Sequence, residues 1–204
     1  MYKNKIMYDK PIYVGTSILD LSKLHMMRFH YEVIAKHFNH YNLIYSDTDS
    51  FVYNRYCDDV YKWVRDNKSH FDLSDDKYNP DNENKKVLGK FKYELNGVVM
   101  KNFTALNPKV YCFKTVENKD TRKAKGVSKV VLKKDIKNSD YDHVLNTEEN
   151  INRSVVSIRS IAHKVYTIKT NKTCLTPWYD TFKVIDINNC EPFGYKPKVI
   201  KSKD

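Results

Sequence analysis

Apolar residues early in the chain recur every three to four positions, at Ile18, Leu21, Leu24, Met27, Tyr31, Ile34 and Phe38, a spacing that predicts an amphipathic helix with a core-facing stripe. Thr16 or Ser17 can cap this helix, with Asp20 three residues after Ser17 able to bond back to the exposed amide. Pro11 and the following Ile12-Tyr13-Val14 predict an extended lead into Gly15. The period then shortens. Leu43-Ile44 and Phe51-Val52-Tyr53 bracket Tyr45-Ser46-Asp47-Thr48-Asp49-Ser50, which reads as a β-hairpin with a polar tip. Val60, Trp63 and Val64 predict a short helix between Asp58 and Asn67. Residues 72–86 are polar and contain Pro80, so they are expected as an exposed loop whose acidic side chains nothing apolar positions. Strands are predicted at 87–93, 97–100 and 109–113, with Asn96-Gly97 as a hairpin turn. The polar run 117–125 predicts a hinge. Beyond it come Val130-Val131-Leu132, a helix near Asp140 to Leu145, the alternating segments 155–161 and 165–169, and Phe182 to Asp186. The expectation is an α+β protein of two domains, residues 1–118 and 119–204, with no internal repeat.

Composition narrows the class. The chain has 204 residues, 41% hydrophobic and 13% aromatic, enough to bury a core and unlike a disordered segment. Its 36 basic against 25 acidic residues give a net charge of +11, which favours a polyanionic partner such as nucleic acid, with an acidic membrane surface as the rival. No apolar run approaches the roughly 20 residues of a spanning helix, and Met1-Tyr2-Lys3-Asn4-Lys5 lacks the apolar centre of a secretory signal. A soluble intracellular protein is therefore expected. Cys57, Cys112, Cys174 and Cys190 form no Cys-x-x-Cys pair, which argues for reduced thiols over a zinc site or a disulfide framework. His25, His30, His37 and His40 lie on or near the first helix. His37 and His40 have ligand-like spacing, but no Glu or Cys partner completes a zinc motif, so solvated or hydrogen-bonded imidazoles are expected.

The acidic tip is the strongest candidate for chemistry. If strand alternation persisted through the turn, Asp47 and Asp49 would lean to one side, roughly 5 to 7 Å apart. At an effective dielectric of 20 and a separation of 5 Å their repulsion is about 3 kcal/mol, which a hard divalent cation converts to attraction. The turn therefore invites Mg²⁺, or Mn²⁺ in its place. A solvated surface turn is the plainer reading of an isolated Asp-x-Asp. An EF-hand starting at Asp47 fails, because Phe51, Val52 and Asp58 stand where an oxygen ligand, a Gly and a Glu are needed. An Asp-Thr-Gly protease motif fails because Asp49 replaces the Gly. A metal-binding Asp-x-Asp of a nucleotide-sugar transferase stays compatible with these residues alone.

Tyr-x-Asp-Thr-Asp-Ser between apolar strands resembles the third polymerase motif of family B DNA polymerases, whose two Asp residues lie in the palm at the metal site. The flanking segments, residues 10–19 before it and Val87-Leu88-Gly89-Lys90-Phe91 after it, are similar to the viral and organellar, protein-primed branch of that family. Lys109-Val110-Tyr111 looks like its Lys-x-Tyr motif, which contacts the primer terminus. Placed on one strand face, Lys109 can meet a phosphate and Tyr111 a sugar. Lys123-Ala124-Lys125-Gly126-Val127 resembles the Lys-x-Lys-Gly element that enters the thumb and grips the primer backbone. The resemblance implies Asp47 and Asp49 as catalytic metal ligands, Lys109, Tyr111, Lys123, Lys125 and Gly126 as primer contacts, and a packed helix behind the hairpin. The fold it implies is the C-terminal part of a palm, an antiparallel sheet with packed helices, followed by a small α+β thumb. Lysines 129, 133, 134, 137, 164, 169 and 172, with Arg153 and Arg159, are available to line a duplex, against the plainer reading of solvated charge. The segment from Phe182 to Tyr195 is like the family's closing segment and implies that the natural C-terminus is present.

Two expected parts of such an enzyme are missing. Two-metal phosphoryl transfer needs carboxylates on both sides of the ion pair, and one turn cannot supply both walls. In the resembled family the other Asp comes from an Asp-x-x-Ser-Leu-Tyr-Pro type motif, and a fingers Lys holds the triphosphate in a pattern like Lys-x-x-x-Asn-Ser-x-Tyr-Gly. Neither occurs here, nor do exonuclease carboxylate motifs. The chain is thus expected to be part of a DNA-directed DNA polymerase, inactive alone, with DNA primer-template, dNTPs, a terminal protein primer and a chain supplying the missing palm and fingers as partners. The alternative is a non-catalytic basic DNA-binding module derived from such a polymerase.

Overall fold

A computed structural model describes residues 9–74, 84–179, 182–186 and 189–192. The architecture is mixed α+β, with small, mostly antiparallel sheets and a few helices. The chain divides into two compact units, Met1–Val98 and Val99–Asp204. The expected division after residue 118 falls instead in the turn of a hairpin belonging wholly to the second unit.

In the first unit, α1 (Ile12–Arg28) runs into a π-helical turn, Phe29–Ile34, and then α2 (Ala35–His37). It starts earlier than its capping residues predict, directly after Pro11, whose fixed φ suits a helix start. Thr16 and Ser17 therefore lie inside the helix, and their hydroxyls donate back to the Ile12 and Tyr13 carbonyls at 3.0 and 2.9 Å. The buried residues are Met26, Phe29, Val33, Ile34 and Phe38, while Ile18, Leu21, Leu24, Met27 and Tyr31, all before or within the π turn, are exposed. Of the predicted stripe only Ile34 and Phe38 reach the core.

The next strands, β1 (Tyr41–Asp47) and β2 (Ser50–Arg55), form the expected antiparallel hairpin. Tyr41, Phe51 and Tyr53 pack against the Phe29, Val33, Ile34 and Phe38 cluster, joined by Trp63 of α3 (Val60–Asp66). Helix α3 is capped by the Asp59 carboxylate, which accepts from the Tyr61 and Lys62 amides at 2.9 and 3.0 Å. The Arg55 guanidinium lies over the Phe38 and Trp63 rings at 4.2 and 4.5 Å, two cation–π contacts that compensate part of its burial. His30 shares a 2.8 Å hydrogen bond with the Tyr53 hydroxyl, and His37 one of 2.6 Å with the Val33 carbonyl. Two short strands, β3 (Phe71–Asp72) and β4 (Phe91–Lys92), pair in parallel. Residues 75–83 of the predicted acidic loop lie outside the described residues. Asn96 and Gly97 both adopt positive φ, as their hairpin dipeptide predicts, but no ladder forms between 87–93 and 97–100.

The second unit is built on a three-stranded antiparallel sheet, β5 (Met100–Asn107), β6 (Val110–Thr115) and β7 (Asp120–Ala124). The 117–125 segment, predicted as a hinge, is the turn and third strand of this sheet. One sheet face packs on α4 (Lys129–Lys134) and α5 (Asn138–Thr147), burying Cys112, Ala124, Val131, Ile136, Tyr141 and Val144. Tyr141 is fully buried and its hydroxyl donates to the Lys123 carbonyl at 2.9 Å. A long hairpin, β8 (Ile151–Ile161) and β9 (Lys164–Leu175), closes on Ala162-His163, both at positive φ as such two-residue turns require. Its base joins the core through Ile151, Cys174 and Leu175, while its far half is exposed, Ile158 by 74% and Val165 by 71%. The last described strands, β10 (Phe182–Val184) and β11 (Cys190–Pro192), pair antiparallel; Phe193 to Tyr195 of the closing segment lie outside the described residues. Among the described residues no helix is long and apolar enough to cross a membrane.

All four cysteines are free, Cys57 and Cys190 exposed and Cys112 and Cys174 buried. Burial, with Asp142 nearby, pushes the Cys112 thiol up to about 11, so little of it is thiolate at neutral pH. Iodoacetamide at pH 8 is expected to alkylate Cys57 and Cys190 quickly in the native protein and the other two only after denaturant is added. Fast native labelling at Cys112, read by peptide mass mapping, would contradict this core.

Candidate functional site

The acidic tip is positioned by an irregularity in the hairpin. Leu43 pairs with Tyr53 but Tyr45 pairs with Val52, so Ile44 is an extra residue, a β-bulge. Directly opposed residues share a sheet face. Tyr41, Leu43 and Ser46 therefore lie on the face of Arg55, Tyr53 and Phe51, which packs on the helix, while Tyr45 and Asp47 lie with Val52 and Ser50 on the other. Without the bulge the pleat would carry Asp47 to the helix side. One inserted apolar residue thus turns Asp47 outward.

Strand β1 ends at Asp47, which pairs with Ser50 across a two-residue turn. Thr48 adopts a left-handed φ of 54° and the Asp49 amide donates to the Asp47 carbonyl at 2.6 Å. The alternation expected to carry Asp49 to the side of Asp47 consequently stops one residue short, because the chain reverses at Thr48. Asp49 is the second turn residue and is exposed, and Asp47 is half-buried. The Thr48 hydroxyl donates to Asp47 Oδ1 at 3.0 Å and the Ser50 hydroxyl to the Asp47 carbonyl at 3.1 Å. A left-handed β-branched residue costs about 1–2 kcal/mol, and the two hydroxyl bonds, with the hairpin ladder, hold it in place.

Both carboxylates belong to one short turn, and this donor set fits part of a magnesium site. Mg²⁺ keeps several waters and commonly takes one or two protein carboxylates plus substrate phosphates. Among the described residues no group of three or more His, Cys, Asp or Glu side chains is placed to hold a metal ion. The tip alone therefore does not make up a metal site among the described residues.

The five expected primer contacts gather at one end of the β5–β6–β7 sheet. Lys109 is not on a strand with Tyr111, as expected, but in the turn before β6, at a left-handed φ of 65°. Its carbonyl accepts from the Lys125 amide at 3.1 Å, which ties that turn to the end of β7. Tyr111 is paired directly with Lys123, so phenol and ammonium share a face, their Cβ atoms about 5 Å apart. The same face carries Phe103 and Phe113, whose rings stack on Tyr111 at 5.5 and 6.5 Å. Cys112 and Ala124 point the other way, into the core. The Val127 amide donates to the Ala124 carbonyl at 3.2 Å, making a turn whose third residue, Gly126, has a φ of 83°.

Other expected duplex contacts have structural duties. Lys172 donates to the Gly126 carbonyl at 2.7 Å. Arg153 donates to the Asp135 and Asn152 carbonyls and pairs with Asp140 at 3.7 Å, so it ties the hairpin base to the helices. Arg159, Lys164 and Lys169 lie on the exposed half of the β8–β9 ribbon. Sequence reasoning missed the bulge and the strained Thr48. The unbroken run Leu43-Ile44-Tyr45, which spoils strand alternation, was the available sign of the first. Nothing local marks Lys172 as the partner of Gly126, 46 residues away.

No protein-family model, curated protein or solved structure matches the chain.

The nearest atom to a Cβ built on Gly126 is Lys172 Nζ at 3.6 Å, an ordinary contact, so Gly126→Ala meets strain and not crowding. The expected loss of stability is about 1–2 kcal/mol, read as a shifted urea midpoint with an unchanged m-value. No shift would mean that the turn at Gly126 is not left-handed in solution.

Proposed function

We propose that this chain carries the C-terminal palm and thumb parts of a family B DNA polymerase of the protein-primed type, acting in template-directed nucleotidyl transfer from dNTPs to a primer 3′ hydroxyl. The observation that carries the reading is the convergence of Lys109, Tyr111, Lys123, Lys125 and Gly126, expected from two separate motifs, on one sheet end. The β6–β7 hairpin brings these two segments together, and both are basic. Asp47, turned outward with Asp49 beside it in the turn, supports the same reading. When bound, Mg²⁺ or Mn²⁺ supplies charge stabilisation at the transferring phosphate. The protein's own part is to hold the two carboxylates at the tip, and to fix the primer through ammonium groups on phosphate and the Tyr111 phenol against the sugar. These contacts position a strand without reading its sequence.

The second carboxylate wall and the triphosphate-binding lysine must come from further polypeptide. The exposed apolar side chains Ile18, Leu21 and Leu24 of α1 provide surface that such a segment can cover. A terminal protein as primer belongs to the same proposal. The non-catalytic DNA-binding module is favoured by one observation, the β8–β9 ribbon with Arg159, Lys164 and Lys169 on its exposed half, since a two-stranded ribbon fits a major groove.

Two experiments separate these readings. With primer-template, dNTPs and Mg²⁺ the chain alone is expected to give no extension, and robust synthesis would show that the site is complete without added polypeptide. Mn²⁺ is expected to broaden the amide signals of residues 47–50, with a dissociation constant no tighter than about 1 mM, tightening when primer-template is added. The Asp47→Asn, Asp49→Asn double variant should lose the effect, and a tip untouched by Mn²⁺ even with DNA present favours the non-catalytic module. For the primer contacts, Lys123→Ala and Lys125→Ala should each weaken duplex binding alike across sequences and lower the log–log salt slope by about 1. A slope unchanged in both variants would remove them from the DNA interface.

A further inference from the structure

A cleft of about 450 Å³ opens in the first unit between the end of α1, the 68–70 turn and the loop before β4. Its volume is within the ordinary range for small-molecule sites. One wall is aromatic: the His25 ring stacks on Phe91 at 5.3 Å with 7° between planes, and Phe29 lies against the same Phe91 ring at 4.0 Å. The polar groups around it carry two fixed positive charges, those of Arg28 and Lys90. Arg28 and His25 come from α1, His70 and Ser69 from the 68–70 turn, and Lys90 from the loop, against the single carboxylate of Glu32 on the π turn. Gly89, at a φ of 81°, turns the chain beside His25, and the Lys90 ammonium donates to the Ser69 carbonyl across the cleft mouth. Like charges drawn together at one cleft repel unless an anion sits among them. The state of His70 registers this: burial lowers its pKa, and Lys90, His37 and His25 lower it further.

We propose that this cleft is a binding site for a phosphate monoester, with Arg28 and Lys90 on the phosphoryl oxygens and the His25–Phe91 wall against the organic group. A guanidinium presents paired donors that match tetrahedral oxyanions, and an ammonium adds a point charge. The His70 imidazole adds charge when it protonates. No residue of the acidic tip lines the cleft, and the site stands whether or not the chain belongs to a polymerase.

The test uses the whole chain and NMR of its imidazole and amide signals. Sulfate, whose charge is constant across the range, should bind more tightly at pH 5.5 than at pH 7.5, because a protonated His70 attracts it. The His70 titration midpoint should rise in sulfate relative to chloride of equal ionic strength. Adenosine monophosphate should bind more tightly than inorganic phosphate and shift the Phe91 and His25 ring signals. Arg28→Gln and Lys90→Gln, at side chains whose removal leaves the apolar cluster intact, should each weaken sulfate binding about tenfold. An unmoved His70 midpoint in the unaltered protein, or binding that survives both substitutions, would overturn the site. Equal affinity for adenosine monophosphate and inorganic phosphate would overturn the role of the ring wall and with it the monoester assignment.

Discussion

The antiparallel register of β1 and β2 is the constraint on which the acidic tip depends. Side chains in a strand alternate, so the face a residue occupies is fixed by counting from its paired neighbours. Tyr41, Phe51 and Tyr53 are held against the helix by burial of several aromatic rings, worth about 1.5–3 kcal/mol for each large side chain. That burial anchors the count. The extra residue at Ile44 then advances it by one, and Asp47 emerges on the face away from the helix. The bulge therefore reconciles a core-facing strand with an outward-facing acid.

A comparable economy of means appears in the second unit. The sheet β5–β6–β7 has one face committed to the core through Cys112 and Ala124. The same ladder that buries those residues necessarily presents Tyr111 and Lys123 on the opposite face, as a directly opposed pair. Tyr141, buried between α5 and the sheet, fastens β7 by donating to the carbonyl of Lys123 itself. Lys125 and Lys172 then secure the two adjoining turns through the Lys109 and Gly126 carbonyls. Packing and presentation of the basic residues are consequently one structural event.

Much of this was legible in the residues, and the failures have identifiable causes. The hairpin tip was legible because five polar residues, Ser46 to Ser50, between two apolar runs leave a chain few alternatives to a tight reversal. Helix α5 and the β8–β9 segments were legible from periodicity. The buried face of α1 was not, since Ile18, Leu21 and Leu24 recur with helical spacing yet stay exposed, and Phe29 and Val33 displaced the predicted stripe. Strand β7 was mistaken for a hinge because Asp-Thr-Arg-Lys-Ala is almost wholly polar. Its one apolar residue, Ala124, is buried, while Arg122 reaches the Ile136 carbonyl at 2.7 Å, a long-range partner no local pattern encodes. The alternation argument for Asp49 failed at Thr48, where a β-branched residue takes a conformation usually left to Gly or Asn.

The central proposal is that the tip of this hairpin seats a divalent metal beside a nucleic-acid strand. Iron(II) in place of Mg²⁺, with ascorbate and peroxide, generates hydroxyl radicals that cut DNA close to the bound ion. On an end-labelled primer-template held by the protein, the account predicts cuts clustered near the primer 3′ end that disappear in the Asp47→Asn, Asp49→Asn variant while DNA binding persists. Uniform cutting along the duplex, or a cluster unaffected by those substitutions, would contradict it.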